Sequence, residues 1–169
     1  MLEILCDASV VLKWFHAEGE EEVGESLALL DLHRSRRAAL SVLDLTIYEV
    51  GNALVRGMRI SAARAEVVLE ALESICPRLP IATPELADAL ALAELHGLTV
   101  YDAAYGAVAR SRHARLATLD WLLLGAGLGE RPSEIVSGLS AQAEGAGSAD
   151  RSWLVRSTGL SVRPSQQLP

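Results

Sequence analysis

Apolar positions along the chain fall into short runs closed by a polar residue, alternating with longer stretches in which apolar residues recur at helical spacing. The first run, "LEILCD" (2–7), predicts a buried strand that ends in an aspartate. A helix follows it, with Ser9 at the N-cap position and Val11, Leu12 and Phe15 facing inward. "EGEEEVGESLALLDLHRSRR" opens on glutamates and closes on Arg34, Arg36 and Arg37, the order that a helix dipole favours. "AALSVL" (38–43) predicts a second strand, "DLTIYEVGNALVRGM" a helix capped by Asp44, and "ISAARAEVVLEALESI" a helix capped by Ser61. "RLPIA" (78–82) reads as a brief strand. "TPELADALALAELHG" is a helix with Thr83 as N-cap, Pro84 at its first position and Gly97 past its end. "LTVYD" (98–102), a helix from Ala103 to about Arg112, the strand "ARLATLD" (114–120) and the helix "WLLLGAG" complete the series.

Strands alternating with helices predict one α/β domain with a mainly parallel central sheet flanked by helices, spanning residues 1–136. Beyond Val136 the chain turns rich in Ser, Gly, Ala and Gln, so 137–169 is expected to be a flexible tail, with "SWLVR" as a short docking segment. Half of the 169 residues are hydrophobic and only 4% aromatic, so the core is built from Leu, Val, Ile and Ala. No apolar run is long enough to cross a bilayer and "MLEILCD" lacks a signal peptide's basic start, which points to a cytoplasmic protein with no membrane partner. The two cysteines, Cys6 and Cys76, have no zinc-site or CxxC spacing and read as reduced core residues. A net charge of −7 gives no global attraction to nucleic acid, so any such substrate must be held by a local arginine patch.

The charge that needs explaining is negative. Asp7, Asp102 and Asp120 each close a predicted strand, and in an open parallel sheet ligands bind outside those strand ends. Glu49 lies in the helix after the second strand between Tyr48 and Val50, where an unpaired charge is costly. Carboxylates brought together repel and raise one another's pKa unless a cation joins them. Oxygen-only ligands suit Mg²⁺ or Mn²⁺, and a cation held this way polarises a phosphoryl oxygen and activates water for in-line attack. Composition and spacing thus point to metal-assisted phosphodiester hydrolysis.

"LCDASVVLKWF", "LTIYEVGNAL", "LTVYDAAYGAVA" and "LATLD", in this order, resemble the PIN domain and within it the VapC toxin ribonucleases, over about Leu2 to Val136. The resemblance implies a Mg²⁺- or Mn²⁺-dependent endoribonuclease, the toxin of a type II toxin–antitoxin pair. It implies RNA as substrate, a cognate antitoxin and a homodimer as partners, and catalytic and metal-binding roles for Asp7, Glu49, Asp102 and Asp120. Ser9 and Thr118 fill the places of supporting hydroxyls. Two features depart from the family pattern: Trp121 follows the last Asp, where a basic or polar residue is more usual, and the tail lies outside the resemblance.

For contact with RNA, Arg56 and Arg59 follow Glu49 by seven and ten residues, roughly one face of a continuous helix, while Arg110, Arg112 and Arg115 form a second patch. Asp102 is expected both to cap its helix and to bind metal in one site with Asp7. The rivals are a phosphotransfer domain and a catalytically inert PIN-like module that binds RNA or protein. A haloacid-dehalogenase-like phosphatase wants a second Asp where this chain has Ser9, and a receiver wants a late Lys where none follows Lys13.

Overall fold

The computed structural model of the chain describes residues 1–16 and 21–141. Four strands, β1 (Leu2–Cys6), β2 (Ala38–Leu43), β3 (Arg78–Leu79) and β4 (Arg115–Ala117), form a sheet in the order β3-β2-β1-β4. All three pairings are parallel, with Ile4 opposite Leu40 on one side and Arg115 on the other. β1 is therefore central, and Ile4, Leu5 and Cys6 are wholly buried, as expected for a strand covered on both faces. The strand ends point one way, so the loops that follow β1 and β4 leave the same edge.

Helices α1 (Ala8–Phe15), α2 (Val23–Arg34), α3 (Asp44–Asn52), α4 (Ala62–Ile75), α5 (Thr83–His96), α6 (Val100–Ser111) and α7 (Trp121–Gly125) occupy the connections. α5 and α6 pack closely because α6 presents Ala103, Ala104, Gly106, Ala107 and Ala109, small side chains that let the helices approach. α5 ends at Gly97, whose φ of 67° is the left-handed conformation that glycine adopts without steric cost. Residues 132–141 are also helical. Most of the expected tail, residues 142–169 with "SWLVR", lies outside the described residues. Among the described residues no helix is long and apolar enough to cross a membrane.

The α/β architecture with a parallel sheet agrees with the sequence reading, but several local assignments change. "LTVYD" is not a strand: Val100 opens α6, and Thr99 is its N-cap. The Thr99 hydroxyl accepts the Asp102 N–H at 3.1 Å and donates to Asp102 Oδ2 at 2.7 Å, a reciprocal cap that commits Val100–Asp102 to the first helical turn. So short an apolar run cannot distinguish strand from buried helix. Asp102 is thus the third residue of α6 and not its cap.

The caps of the other helices shift by one or two places. Asp7 caps α1 in place of Ser9, and Leu43 is the N-cap of α3, so Asp44 is its first helical residue. Ala82 is the N-cap of α5, with Thr83 inside the helix, and the Glu85 carboxylate accepts the Ala82 N–H at 2.7 Å. Ser61 does stand at the N-cap of α4, without a side-chain bond to the helix. After Asn52, α3 runs into a π-helical turn, Ala53–Gly57, closed by Met58 N–H to the Ala53 carbonyl at 2.9 Å.

Candidate active site

Asp7 is the first residue past the central strand, 4% exposed, and each of its oxygens is held. Oδ1 accepts the Val10 N–H at 3.1 Å and the Ser9 hydroxyl at 2.6 Å, while Oδ2 accepts the Thr118 hydroxyl in a very short bond. Burial pushes the Asp7 carboxyl up, these three donors pull it down, and the charge of Asp120 pushes it up again. The Asp7 N–H donates to the Ala117 carbonyl at 3.1 Å, which ties the turn after β1 to the end of β4.

Thr118 and Ser9 also organise the second edge of the site. Ser9 Oγ accepts the Leu119 N–H at 2.8 Å, and Thr118 Oγ1 accepts the Asp120 N–H at 3.0 Å. Asp120 caps α7, its Oδ1 accepting the N–H groups of Leu122 and Leu123 at 2.8 and 3.1 Å. Each of these two hydroxyls therefore bonds in two directions, to the Asp7 carboxylate and to the backbone at Leu119 or Asp120. Trp121, directly after Asp120, is 75% exposed and does not disturb this cap.

Gly129 lets the turn pack that tightly. The Glu130 N–H donates to the Leu116 carbonyl at 2.8 Å and Thr118 N–H to the Glu130 carbonyl at 3.0 Å, laying residues 128–130 along the end of β4. A Cβ at Gly129 would overlap the Thr118 methyl group.

Glu49 reaches the site from α3. Its Oε2 accepts the Tyr105 hydroxyl at 2.5 Å, and that hydroxyl lies 2.8 Å from Thr46 Oγ1. Burial raises the Glu49 carboxyl most, the Tyr105 bond lowers it, and the charges of Asp7, Asp102 and Asp120 each raise it. Glu49 thus feels the charge of each of the other three candidate acids, Asp7, Asp102 and Asp120. Each acid is tethered by its own donor, which leaves Oε1 of Glu49, Oδ1 of Asp102 and Oδ2 of Asp120 outside these bonds.

The donor set is entirely oxygen, and its chemistry fits a hard divalent cation. The acids do not close a cage: among the described residues no three His, Cys, Asp or Glu side chains stand at metal-ligating spacing. Among the described residues no histidine joins these acids in a metal-ligating group. His33, for one, bridges the Leu40 N–H and the Ile75 carbonyl.

The arginines are placed less as expected. Arg56 is exposed in the π-helical turn, whose wider winding breaks the seven-residue register with Glu49. Arg59 lies beyond the helix at a φ of 55°, not on its face. Arg110 and Arg112 stand at the far end of α6 from Asp102, about 12–15 Å along the axis at the rise of an α-helix. Arg112 pairs with Glu85 at 3.3 Å, and Arg115 pairs with Glu130, so these two arginines serve the fold. The side chains missed from sequence are Thr99, Thr46 and Tyr105. The visible signal was Tyr105 itself, a large polar-tipped ring in a run of small residues.

Comparison with known proteins follows this geometry. The PIN domain family model matches residues 4–124. The chain is 36% identical over 124 residues to Ribonuclease VapC3 of Pyrobaculum aerophilum, covering 70% of this chain and 90% of that one. The crystal structure of PAE2754 from Pyrobaculum aerophilum superposes with a TM-score of 0.62 at 28% identity, over 83% of this chain and 96% of that one. A toxin–antitoxin complex from Klebsiella pneumoniae shares the fold, with a TM-score of 0.53 at 20% identity over 76% and 97% of the two chains.

Proposed function

Since the chain belongs to the PIN domain family, we propose that it is a divalent-metal-dependent endoribonuclease, the toxin of a toxin–antitoxin pair. What supports this reading is that the charges of Asp7, Asp102 and Asp120 all act on Glu49, while hydroxyl or backbone donors hold each of the four carboxylates. An inert binding module has no use for crowded carboxylates whose mutual repulsion destabilises the fold.

Asp7, Glu49, Asp102 and Asp120 would hold Mg²⁺ or Mn²⁺, with Asp7 and Asp102 as direct ligands and the other two completing the acidic space. A cation there supplies the Lewis acidity that polarises a phosphoryl group and lowers the pKa of an attacking water. The chain itself supplies orientation. Ser9 and Thr118 fix both oxygens of Asp7, Thr99 fixes Asp102, and the N-terminus of α7 fixes Asp120. No side chain need act as covalent nucleophile. Arg56, exposed on the π-helical turn after α3, would approach an RNA phosphate.

An antitoxin partner is supported by the complex in which a protein of the same fold is found. It is supported also by the cleft between α3 and α4, lined by Ile47, Tyr48, Val55 and Leu69 and rimmed by Glu66 and Glu70. Tyr48 is 77% exposed there, and the acidic rim suits an amphipathic segment carrying basic residues. A homodimer is the assembly that the family resemblance implies.

The test is incubation of the purified chain with mixed RNA and with DNA, each in Mg²⁺, Mn²⁺ or EDTA. The expected result is internal cleavage of RNA in either metal, none in EDTA, and loss of cutting in Asp102→Asn. RNA that is bound but left intact by a folded chain in both metals would support the inert module instead.

A further inference from the structure

Two pairs of residues, each spaced by one helical turn, are joined by a hydrogen bond from Tyr105 to the Glu49 carboxylate. Thr46 and Glu49 share a face of α3, and Asp102 and Tyr105 share a face of α6. The Tyr105 hydroxyl inserts between the first pair, donating to Glu49 Oε2 at 2.5 Å and lying 2.8 Å from Thr46 Oγ1. Counting protons fixes the direction of the relay. The phenol has one proton and gives it to the carboxylate, so Thr46 donates to the phenol oxygen and its own oxygen accepts the Leu43 N–H at 3.1 Å. Leu43 is the last residue of β2, the neighbour of the strand that delivers Asp7.

Core packing alone does not explain this hydroxyl. Tyr105 is 2% exposed and Thr46 wholly buried, and a phenylalanine would fill the same space without burying a polar oxygen. Both bonds of the hydroxyl go to α3, one of them to an acid of the site. We infer that Tyr105, backed by Thr46, is a positioning residue that sets the direction of the Glu49 carboxylate relative to Asp102 and keeps its Oε1 available to a cation. The inference rests on reading the four acids as a cation-binding nuclease site, and it assigns to Tyr105 the spacing between the acids of α3 and α6.

The experiment uses the full chain as wild type, Tyr105→Phe, Thr46→Val, Thr46→Ser, Glu49→Gln and the Glu49→Gln/Tyr105→Phe double variant. The primary readout is the Mn²⁺ concentration that gives half the maximal rise in Tm; RNA cleavage against Mg²⁺ is the second. Tyr105→Phe is expected to raise the Mn²⁺ requirement by about 10–100-fold, the range for loss of a group that orients a metal ligand. Thr46→Val should shift it in the same direction by less, and Thr46→Ser, which keeps the hydroxyl, should match the wild type. Adding Tyr105→Phe to Glu49→Gln should change nothing further.

A Tyr105→Phe protein with a lower Tm and an unchanged Mn²⁺ requirement overturns the inference, as does a full further loss on top of Glu49→Gln. If Tyr105→Phe does not fold, the Thr46→Val and Thr46→Ser pair decides, because equal Mn²⁺ requirements for the two exclude a relay. A wild type whose Tm ignores Mn²⁺ overturns the cation-site reading itself, an outcome separate from a wild type that responds together with a Tyr105→Phe that responds equally.

Discussion

Asp7→Asn is expected to lose RNA cleavage by about 10³-fold or more while remaining folded and, without added cation, at least as stable at neutral pH as the wild type. The activity loss follows from the proposed role of Asp7 as a charged ligand of the reacting site. Lewis-acid stabilisation is worth several kcal/mol, and about 4 kcal/mol corresponds to roughly 10³ in rate. The stability gain has the opposite origin: Asp7 is buried, and burial raises its carboxyl above the ordinary value, so its charge costs the fold free energy.

The sign with pH is fixed by the same shift. As pH rises, the unfolded chain loses the Asp7 proton first. Between the unfolded and the raised folded value the native protein therefore binds more protons, and its stability falls with increasing pH. The penalty is complete above the folded value and absent below the unfolded one. Thermal melts of the two proteins should thus diverge most at neutral pH and converge as the pH falls into the carboxylate range. A gap that is constant or that widens toward acid would contradict this account of Asp7.

Gly129→Ala should damage stability and chemistry together. The added Cβ meets the Thr118 methyl group and the Leu116 carbonyl, the latter at 3.2 Å. Overpacking of this kind costs about 1–3 kcal/mol. In a protein of this size that is a fall in Tm of roughly 2–12 °C. Thr118 is also the donor to Asp7 Oδ2 and the acceptor for the Asp120 N–H, so moving it loosens two acids at once. Cleavage should drop by about 10–100-fold, the range for loss of an orienting partner. Thr118→Ser removes the methyl group and keeps the hydroxyl, so adding it to Gly129→Ala should restore most of both losses. A double variant no better than Gly129→Ala would show that the Thr118 overlap is not the cause.

The parallel sheet and all four of its strands were legible, β1 and β2 most plainly, because buried parallel strands leave continuous apolar runs such as "LEIL" and "AALSVL". The run before Asp102 misled because three apolar residues suit a strand or the first turn of a helix equally, and the Thr99–Asp102 exchange of hydrogen bonds decides between them. The four candidate acids were singled out by their places after apolar runs and within an apolar helix. Their orienting groups divide in two. Ser9 and Thr118 sit two residues from the acids they serve and were readable from local spacing. Tyr105 serves an acid 56 residues away, and that contact exists only once α3 and α6 are folded side by side. The common face expected for Arg56 and Arg59 was harder to read for a similar reason: a helical face holds only while the winding is regular, and the π-helical turn after Asn52 ends that regularity.

The most direct measurement is a titration of Mn²⁺ into the wild type and into Asp7→Asn, Glu49→Gln, Asp102→Asn and Asp120→Asn, followed by electron paramagnetic resonance of the free ion. If the four carboxylates form one site, the wild type should bind Mn²⁺ there and each substitution alone should weaken that same binding, Asp7→Asn and Asp102→Asn the most. Unaltered Mn²⁺ binding by a folded Asp7→Asn or Asp102→Asn variant would contradict a single carboxylate centre, and with it the account of how this chain cuts RNA.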